Sequence, residues 1–409
     1  MKTAILSVGT EILFGQIVNT NTVYLSQQMN MLGFDVMYHY TVGDNPKRVE
    51  EMIDLAFQDC DLILTTGGLG PTQDDLTKEV ACKALDDTLV MMDDVLEEIT
   101  KYFKTLGREM TENNKKQAIM PSRATVFHND AGTAPGFALE KDGKYIICMP
   151  GPPREMKRMF QKSVVPFLQS MIDGALYYRQ IRFFGIGESM LETQLLDLID
   201  NQTDPTLATY AKEGECSLRI ASKRATEEEA EHAVDEMLEM VKERVGHYIY
   251  SCDDEELAQV VADRLMEQGL TLSSAESCTG GMFASTMTDI PGISQCFDRG
   301  LVTYSNQAKM EELGVSAETL EKFGAVSEET ALEMVEGLKR VSGSDVCISV
   351  TGIAGPGGGS EEKPVGLVYI GFSYGDKMIC KKIQMRNVNR SWNRHYTLLC
   401  MLNVIYRNI

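Results

Sequence analysis

The residues best suited to chemistry in this sequence are three consecutive nucleophiles in its last third, Ser277, Cys278 and Thr279. They are followed by Gly280 and Gly281, and they lie between a predicted strand and a predicted helical stretch. Backbone N–H groups at the start of a helix favour an oxyanion or a phosphate. The segment is therefore a candidate nucleophilic site, and the choice among the three side chains is open at this point.

A base is needed to activate any of these side chains. A cysteine nucleophile normally uses a histidine, but His395 is the one histidine in the last third of the chain. Lys309 is another candidate, provided that burial lowers its pKa enough to give a neutral amine near neutral pH. By residue type alone the simpler interpretation is that Ser277 caps a helix and Lys309 lies on the surface. A Ser–Lys pair is a hypothesis that needs further support.

A glycine-rich loop follows an apolar strand that is predicted at 345–351. Five of the ten residues from Thr351 to Ser360 are glycine, so the loop offers flexible backbone that is dense in N–H groups. This composition predicts a phosphate-binding loop, and an ordinary surface loop is the alternative.

A glycine turn and acidic side chains occur together in the first third of the chain. Gly67, Gly68 and Gly70 form the turn, and Asp74 and Asp75 follow it. The N–H groups of such a turn suit a diphosphate, and carboxylates suit a divalent cation. The alternative is that the carboxylates only cap turns and helices.

Parallel sheets are expected to position these segments. Short apolar strands, predicted at 3–8, 62–66 and 145–149, alternate with helical patterns, and each strand runs into a glycine-rich turn. Ligands bind at the carboxyl ends of the strands in open α/β sheets. Asp44 and Glu11 are therefore expected near the glycine turn.

The pattern of elements changes twice along the chain. From about residue 176 a strand, a helix, a second strand and an acidic helix at 227–245 suggest a small α+β insert. A second α/β region follows, with strands predicted at 270–274, 345–351, 365–372 and 378–385. We therefore predict an α/β fold in which two αβα-type domains with mainly parallel sheets, 1–170 and 252–409, are joined by a small α+β domain, 171–251.

Composition restricts the partners and the compartment. The 409 residues include 39 basic and 60 acidic side chains, and the net charge of −21 makes nucleic acid an unsuitable partner. Ten cysteines without a C-x-x-C pair indicate reduced thiols and a cytoplasmic protein. No apolar run reaches the ~18 residues of a membrane span, so no membrane contact is expected. Because related α/β domains often pair, we expect a homo-oligomer, with a dimer favoured.

Five sequence blocks, in order, carry a resemblance to a known family. They are Ala275-Glu276-Ser277-Cys278-Thr279-Gly280-Gly281, Tyr304-Ser305-Asn306 with Lys309, Gly324-Ala325-Val326-Ser327, Thr351-Gly352-Ile353-Ala354-Gly355-Pro356 and Lys363-Pro364-Val365-Gly366. This part of the chain resembles the nicotinamide-nucleotide amidase domain of the competence/damage-inducible CinA family.

The resemblance implies that nicotinamide mononucleotide is converted to nicotinic acid mononucleotide and ammonia without a cofactor. It implies that Ser277 attacks the carboxamide carbon, that Lys309 takes its proton and that Tyr304 helps to order this pair. The implied substrate-binding residues are Thr279, Gly280, Gly281, Thr351, Gly352, Gly355 and, for the phosphate, Arg394. Arg390 is the alternative phosphate contact, because the local spacing does not decide between the two arginines.

The first third of the chain is similar to the molybdopterin-binding fold of molybdenum cofactor biosynthesis, through its Gly-Gly-x-Gly-Pro turn and Asp75. Blocks around Glu11, Asn21 and residues 150–156 match the CinA version of that fold. The resemblance implies a metal-dependent pyrophosphatase that splits ADP-ribose into AMP and ribose 5-phosphate. The implied metal ligands are Asp75, Asp44 and Asp74, and the implied substrate contacts are Gly67, Gly68, Gly70, Glu11 and Asn21. A pterin-binding module or a non-catalytic partner-binding module is the alternative for this domain.

Overall fold

A computed structural model describes residues 1–171, 174–386 and 388–409. Contacts divide the chain into two units, Met1–Leu176 and Tyr177–Ile409. The small α+β domain that the sequence predicts at 171–251 lies almost wholly in the second unit, where it shares a hydrophobic core with the segments that follow it. Phe184 and Tyr250 belong to that shared core.

The first unit forms around apolar strands that are buried on both faces. Its strands are β1 (Lys2–Val8), β2 (Asp35–Val42), β3 (Leu62–Thr66), β4 (Leu89–Met91), β5 (Ile119–Pro121), β6 (Thr125–Phe127), β7 (Gly136–Lys141) and β8 (Lys144–Met149). Its helices are α1 (Thr10–Leu13), α2 (Thr20–Met31), α3 (Pro46–Asp59), α4 (Thr77–Ala84), α5 (Asp93–Thr105), α6 (Pro153–Met159) and α7 (Val165–Gln169). Alternate residues of a strand face opposite sides, so Ala4 and Leu6 enter one hydrophobic cluster while Ile5 enters the other.

The strand order of the first sheet is β2-β1-β3-β8-β7-β6 among the described residues. The pairs β1/β2, β1/β3 and β3/β8 are parallel, whereas β7 pairs antiparallel with both β8 and β6.

The prediction of α3 from its start signal is confirmed, because Asn45 caps the helix by accepting a hydrogen bond from the Arg48 N–H.

The middle region is a four-stranded sheet covered by two helices. It contains β9 (Ala175–Phe183), α8 (Glu188–Asp200), β10 (Thr206–Lys212), β11 (Glu215–Arg224), α9 (Glu227–Val245) and β12 (Ile249–Ser251), with strand order β10-β11-β9-β12 in the described chain. The predicted bounds of the acidic helix α9 are confirmed. The apolar face of α9, including Val234 and Leu238, packs on the sheet, and its glutamates face outward.

The carboxy-terminal sheet is mixed. It contains β13 (Leu272–Glu276), β14 (Phe297–Val302), β15 (Val346–Gly352), β16 (Leu367–Tyr374) and β17 (Lys377–Gln384), in the order β14-β13-β15-β16-β17 among the described residues. The surrounding helices are α10 (Leu257–Gln268), α11 (Met282–Thr288), α12 (Asn306–Leu313), α13 (Ala317–Lys322), α14 (Glu328–Ser342) and α15 (Arg390–Tyr406).

Only part of each large sheet is parallel. In the carboxy-terminal sheet β13 pairs parallel with β14 and β15, whereas β16 pairs antiparallel with β15 and β17. The predicted α/β class with parallel sheets is confirmed, and each large sheet has parallel strands at one side and an antiparallel hairpin at the other. The short connections that join β7 to β8 and β16 to β17 explain this, since two neighbouring strands joined by a tight turn must run antiparallel.

Candidate active sites

Ser277 and Lys309 meet in the carboxy-terminal domain. The Lys309 Nζ lies 3.0 Å from the Ser277 Oγ, although the two residues are far apart in the sequence. The Lys309 side chain is only 1% exposed, so the interpretation of this lysine as a surface residue is wrong. The structure therefore contains the Ser–Lys contact on which the hypothesis depends.

The parallel strands bring these two residues together. Ser277 follows β13 directly, and Thr303 follows the neighbouring strand β14. Glu276 is paired with Val302 in the sheet, so the two strand ends lie side by side. The chain then turns into α12, where Ser305 caps the helix start by accepting the Ala308 N–H and Lys309 points back toward β13.

Burial favours the neutral form of the Lys309 amine. The Nζ donates hydrogen bonds to the carbonyl oxygens of Thr303 at 2.8 Å and Tyr304 at 3.2 Å. A neutral amine has two hydrogens, which these carbonyls take, and its lone pair then faces the Ser277 Oγ. Burial lowers the Lys309 pKa to about 8, so a fraction of the amine is neutral near pH 7. Both requirements of a general base, reach and a lowered pKa, are met.

The turn after Ser277 depends on two glycines. Gly280 and Gly281 have φ angles of 61° and 89°, in the left-handed region that side chains with a Cβ rarely adopt. The turn connects β13 to α11, as predicted. The expectation that the helix-start N–H groups are free for an oxyanion is wrong, because the buried Glu276 carboxylate accepts the Phe283 N–H at 3.0 Å and the Ala284 N–H at 2.9 Å. An oxyanion must use other donors.

Cys278 is not arranged as a nucleophile. It is buried, and desolvation raises the pKa of its thiol to about 12, so the reactive thiolate is scarce near neutral pH. The part of the chain that the structure describes places no histidine in the lining of the Ser277 cavity. Burial thus leaves the Cys278 thiol protonated, whereas the Ser277 hydroxyl is hydrogen-bonded to the Lys309 amine.

A cavity of about 220 Å³ opens onto the Ser277 Oγ. Its lining is partly apolar and partly polar and consists of Ser277, Cys278, Tyr304, Lys309, Ala325, Val326, Thr351, Gly352, Ala354 and Arg390. The Thr351 hydroxyl donates a hydrogen bond to the Ala325 carbonyl at 2.6 Å and so joins the two walls. Tyr304 contacts Lys309 through its backbone carbonyl, whereas its phenol ring lies at the rim.

The two arginines of α15 occupy different places. Arg390 lines the cavity and donates hydrogen bonds to the Gly355 carbonyl at 2.8 Å and to the Tyr304 hydroxyl at 3.2 Å. Arg394 lies outside the lining and donates twice to the Thr279 carbonyl, at 3.2 and 2.6 Å. Arg394 thereby holds the turn that follows Ser277. The lining of this cavity also does not include four other predicted residues, Thr279, Gly280, Gly281 and Gly355.

The amino-terminal domain contains a larger cleft of about 360 Å³ at the carboxyl ends of β1, β2, β3 and β8. The loops that follow these strands supply its wall. Most of the predicted residues line it, namely Glu11, Asp44, Gly67, Gly68, Gly70, Asp74 and Asp75. Asn21 lies behind the wall, where its Nδ2 donates to the Thr66 Oγ1 at 2.9 Å and to the Gly151 carbonyl at 2.7 Å.

The acidic side chains of this cleft are hydrogen-bonded to threonines, Asp44 to one of a neighbouring loop and the other two to one of their own loop. Asp44 accepts the N–H and the hydroxyl of Thr10, at 3.0 and 2.8 Å. Asp75 accepts the Thr72 N–H at 3.0 Å, and Thr72 also bonds Asp74, which lowers the Asp74 pKa. Among the residues described, no three His, Cys, Asp or Glu side chains come close enough together to form a metal site. A cation held here would need phosphate oxygens or water as further ligands.

Several lining residues were missed as site residues, and Glu155 and Val326 are examples. Glu155, at the start of α6, lines the amino-terminal cleft, and its pKa is raised by burial. Val326 lines the carboxy-terminal cavity. Both lie within blocks that carry the family resemblance, so the sequence contained the signal.

None of the helices in the described ranges is long and apolar enough to cross a membrane.

Three family models together match nearly all of the chain. Residues 4–170 match a probable molybdopterin binding domain, residues 178–251 the damage-inducible protein CinA KH domain, and residues 254–409 the CinA C-terminal domain. A putative competence-damage inducible protein of Acetivibrio thermocellus is 45% identical over 409 residues, which are 100% of this chain and 99% of that relative. The chain belongs to the CinA family.

The chain is also similar to a second relative and to a solved structure. A putative competence-damage inducible protein of Caldicellulosiruptor saccharolyticus is 50% identical over 371 residues, which cover 91% of this chain and 90% of that protein. A solved structure of the competence/damage inducible protein CihA from Agrobacterium tumefaciens is 43% identical, with a TM-score of 0.36. The match covers 37% of this chain and 92% of the CihA chain.

Proposed function

We propose that the carboxy-terminal domain hydrolyses the carboxamide of nicotinamide mononucleotide to give nicotinic acid mononucleotide and ammonia. The observation that carries the proposal is the buried contact of 3.0 Å between the Lys309 Nζ and the Ser277 Oγ. The choice of this amide substrate follows from the family resemblance of the five blocks that surround the pair.

The reaction divides into two acyl-transfer steps. Neutral Lys309 takes the hydroxyl proton as the Ser277 Oγ bonds to the carboxamide carbon. The resulting ammonium gives that proton to the amide nitrogen as the C–N bond breaks, which releases ammonia and leaves an acyl-serine ester. Water then attacks the acyl-serine ester with Lys309 as the base again, which releases the carboxylic acid and restores Ser277. The N–H groups of Cys278 and Thr279 are the donors we assign to the oxyanion, since Glu276 takes those of the first helical turn.

The cavity suits a pyridine ring with a charged extension. Ala325, Val326 and Ala354 supply apolar surface near the pair, and Arg390 lies at the rim. The guanidinium of Arg390 bonds two neutral oxygens in the absence of substrate, and a phosphate offers it a stronger, charge-assisted partner. We therefore assign the phosphate to Arg390 rather than to Arg394.

The decisive experiment measures ammonia release from nicotinamide mononucleotide by the full-length chain and by Ser277→Ala. We expect release by the wild type and a loss of several orders of magnitude in the variant. Ser285→Ala, a substitution of another serine in the same domain, is the matched control and should keep full activity. Undiminished deamidation by Ser277→Ala, or none by the wild type, would overturn the proposal.

We propose a second activity, hydrolysis of ADP-ribose to AMP and ribose 5-phosphate, for the amino-terminal cleft. The supporting observation is that the glycine turn and the acidic residues share one cleft at the strand ends. Asp44 and Asp75 would hold a divalent cation, which would offset the charge of the diphosphate. A pterin-binding module is the alternative, and a thermal-shift comparison of ADP-ribose with a pterin separates the two, because the true ligand raises the unfolding temperature.

A further inference from the structure

The carboxyl groups that line the amino-terminal cleft are not alike. They come from the loops that follow β1, β2, β3 and β8, and they are Glu11, Asp44, Asp74, Asp75 and Glu155. Asp44 and Asp75 accept hydrogen bonds from threonines, and hydrogen bonding lowers the Asp74 pKa. Glu155 is half-buried, and burial raises the pKa of its carboxyl group. The surroundings of Glu155 therefore favour the form that holds a proton.

The loop 129–134 holds the Glu155 carboxylate in place. The Asn129 Nδ2 donates a hydrogen bond to the Glu155 Oε2 at 2.7 Å. Asn129 is itself oriented, because its Oδ1 accepts the Ala131 N–H at 3.0 Å. A Cβ on Gly132 would lie 2.1 Å from the Glu155 Oε2, so the glycine leaves the space that the carboxylate occupies. The amide thus fixes one carboxylate oxygen and leaves Oε1 available to a water molecule.

Ion pairs tie this loop to the helical segment that begins with α6 and carries Glu155. Asp130 of the loop accepts hydrogen bonds from the Arg158 Nη2 at 2.7 Å and from the Lys162 Nζ at 2.5 Å. These charged groups are paired with one another, and burial rather than a neighbouring charge raises the Glu155 pKa. The loop and the helix therefore form one support for the Glu155 carboxylate.

Glu155 also lies next to the glycine turn of the cleft. The turn follows β3 and Glu155 follows β8, and these two strands are parallel neighbours. The Gly67 N–H donates to the Met149 carbonyl at 3.0 Å, and a Cβ on Gly151 would lie 3.4 Å from the Gly67 Cα. Adjacent strands are about 4.8 Å apart, so a diphosphate on the turn would lie beside the segment that carries Glu155.

We propose that Glu155 is the general base of the amino-terminal reaction and takes a proton from the water that attacks the diphosphate. The proposal rests on the hydrolysis of ADP-ribose that we propose for this cleft. The water oxygen bonds to one phosphorus atom while the bond from that phosphorus to the bridging oxygen breaks. The bridging oxygen keeps the electron pair and leaves with the other phosphate, which gives AMP and ribose 5-phosphate.

The proton passes from the water to the Glu155 Oε1 and then to solvent, which restores the carboxylate. A carboxylate of raised pKa accepts a proton more readily than an ordinary one, so burial suits Glu155 to this role. Asp44 and Asp75 have a different role in the proposed reaction, because they hold the cation. Glu155 should therefore affect the rate of the reaction and not the binding of the metal.

The test compares metal-dependent hydrolysis of ADP-ribose by the full-length wild type and by Glu155→Gln. Glutamine keeps an oxygen for the Asn129 amide but cannot accept the proton, so kcat should fall roughly 10²–10⁴-fold. The KM for ADP-ribose and the metal concentration that gives half of the activity should change little. Glu109→Gln changes an exposed acid of the same domain and should behave as the wild type.

Thermal unfolding of Glu155→Gln separates a catalytic role from a structural one. Burial disfavours the Glu155 carboxylate in the folded protein, so the neutral glutamine should leave the unfolding temperature unchanged or raise it. A fall in kcat that accompanies a lowered unfolding temperature would overturn the proposal and make Glu155 a structural residue. A kcat that excess metal restores would also overturn it, because Glu155 would then be a metal ligand.

The same assay distinguishes this proposal from the reaction on which it rests. If the wild type and Glu155→Gln hydrolyse ADP-ribose at equal rates, the role of Glu155 is wrong and the reaction stands. If the wild type does not hydrolyse ADP-ribose with any divalent metal, the reaction and the role of Glu155 are both wrong.

Discussion

Ser277 and Lys309 are buried and bonded to each other, whereas the acidic residues Asp44, Asp74 and Asp75 are bonded to threonines. Both groups lie at the carboxyl ends of parallel strands. In the carboxy-terminal pair the nucleophile and its base are already within hydrogen-bond distance of each other. The amino-terminal carboxylates share a cleft without forming a common site, so a ligand would have to complete their arrangement.

The comparison shows what burial does to each site. In the carboxy-terminal domain it lowers the pKa of a lysine to about 8 and raises that of a neighbouring thiol to about 12, so that one candidate nucleophile is left with a base. In the amino-terminal cleft Asp74 is exposed, and hydrogen bonding lowers its pKa, which keeps its carboxylate charged and suited to a cation. A covalent mechanism fits the first site and an ion-assisted one the second.

Removal of the base should give the largest effect and separate the two sites completely. Lys309→Met should lower deamidation by roughly 10²–10⁴-fold, because it removes the amine that is hydrogen-bonded to the Ser277 hydroxyl and takes its proton. ADP-ribose hydrolysis by the same protein should not change. The measurement is kcat/KM for each substrate.

Two further lysine variants sharpen that result. Lys309→Arg keeps the positive charge but cannot act as a neutral base, so it should be as inactive as Lys309→Met. Lys322→Met, a change of an exposed lysine in the same domain, should behave as the wild type. An active Lys309→Arg would contradict the assignment of Lys309 as the base.

Asp75→Asn should have the next largest effect, this time in the other domain. Loss of one carboxylate should lower ADP-ribose hydrolysis by roughly 100-fold and raise the metal concentration needed for half of the activity. Deamidation should be unaffected. Asp142→Asn, at an exposed hairpin turn, is the control. If neither Asp75→Asn nor a chelator reduces the hydrolysis of ADP-ribose, the proposed role of a metal ion in this reaction is wrong.

Arg390→Met should change binding more than chemistry. Loss of the charge-assisted hydrogen bonds should raise the KM for nicotinamide mononucleotide roughly 10–100-fold and leave kcat little altered. Nicotinamide riboside, which lacks the phosphate, should be processed equally by the wild type and the variant. Arg394→Met should instead lower kcat, because Arg394 holds the Thr279 carbonyl of the turn after Ser277. If the two variants exchange these effects, our assignment of the phosphate is wrong.

The pH dependence should give the smallest effect. Lys309 must be neutral to accept a proton, and burial lowers its pKa to about 8. Deamidation should therefore rise with pH, level off above about 8 and be roughly tenfold below the plateau at pH 7. A kcat/KM profile between pH 6 and 9.5 measures it. A rate that is constant across pH 8 would mean that Lys309 does not titrate in the reaction.

The sequence predicted elements best where apolar periodicity and capping residues agreed. Strand β3 and helix α9 have the predicted bounds, and Asn45 caps α3 as expected. Strands β2 and β14 were missed, because each lies at a sheet edge and carries exposed residues that interrupt the apolar pattern. Burial alone does not decide the outcome, because the buried strand β7 was also missed and the exposed edge strand β17 was predicted.

The sequence by itself determined the family, the α/β class and the residues with suitable chemistry, because ordered blocks and periodicity are properties of the chain. It could not decide whether Lys309 was a base or a surface residue. Only the tertiary structure decided that, since the pKa of a lysine depends on the atoms around its amine, and β13 and β14 bring those atoms from separate parts of the chain. The same holds for Arg390 and Arg394, whose different partners no local spacing could distinguish.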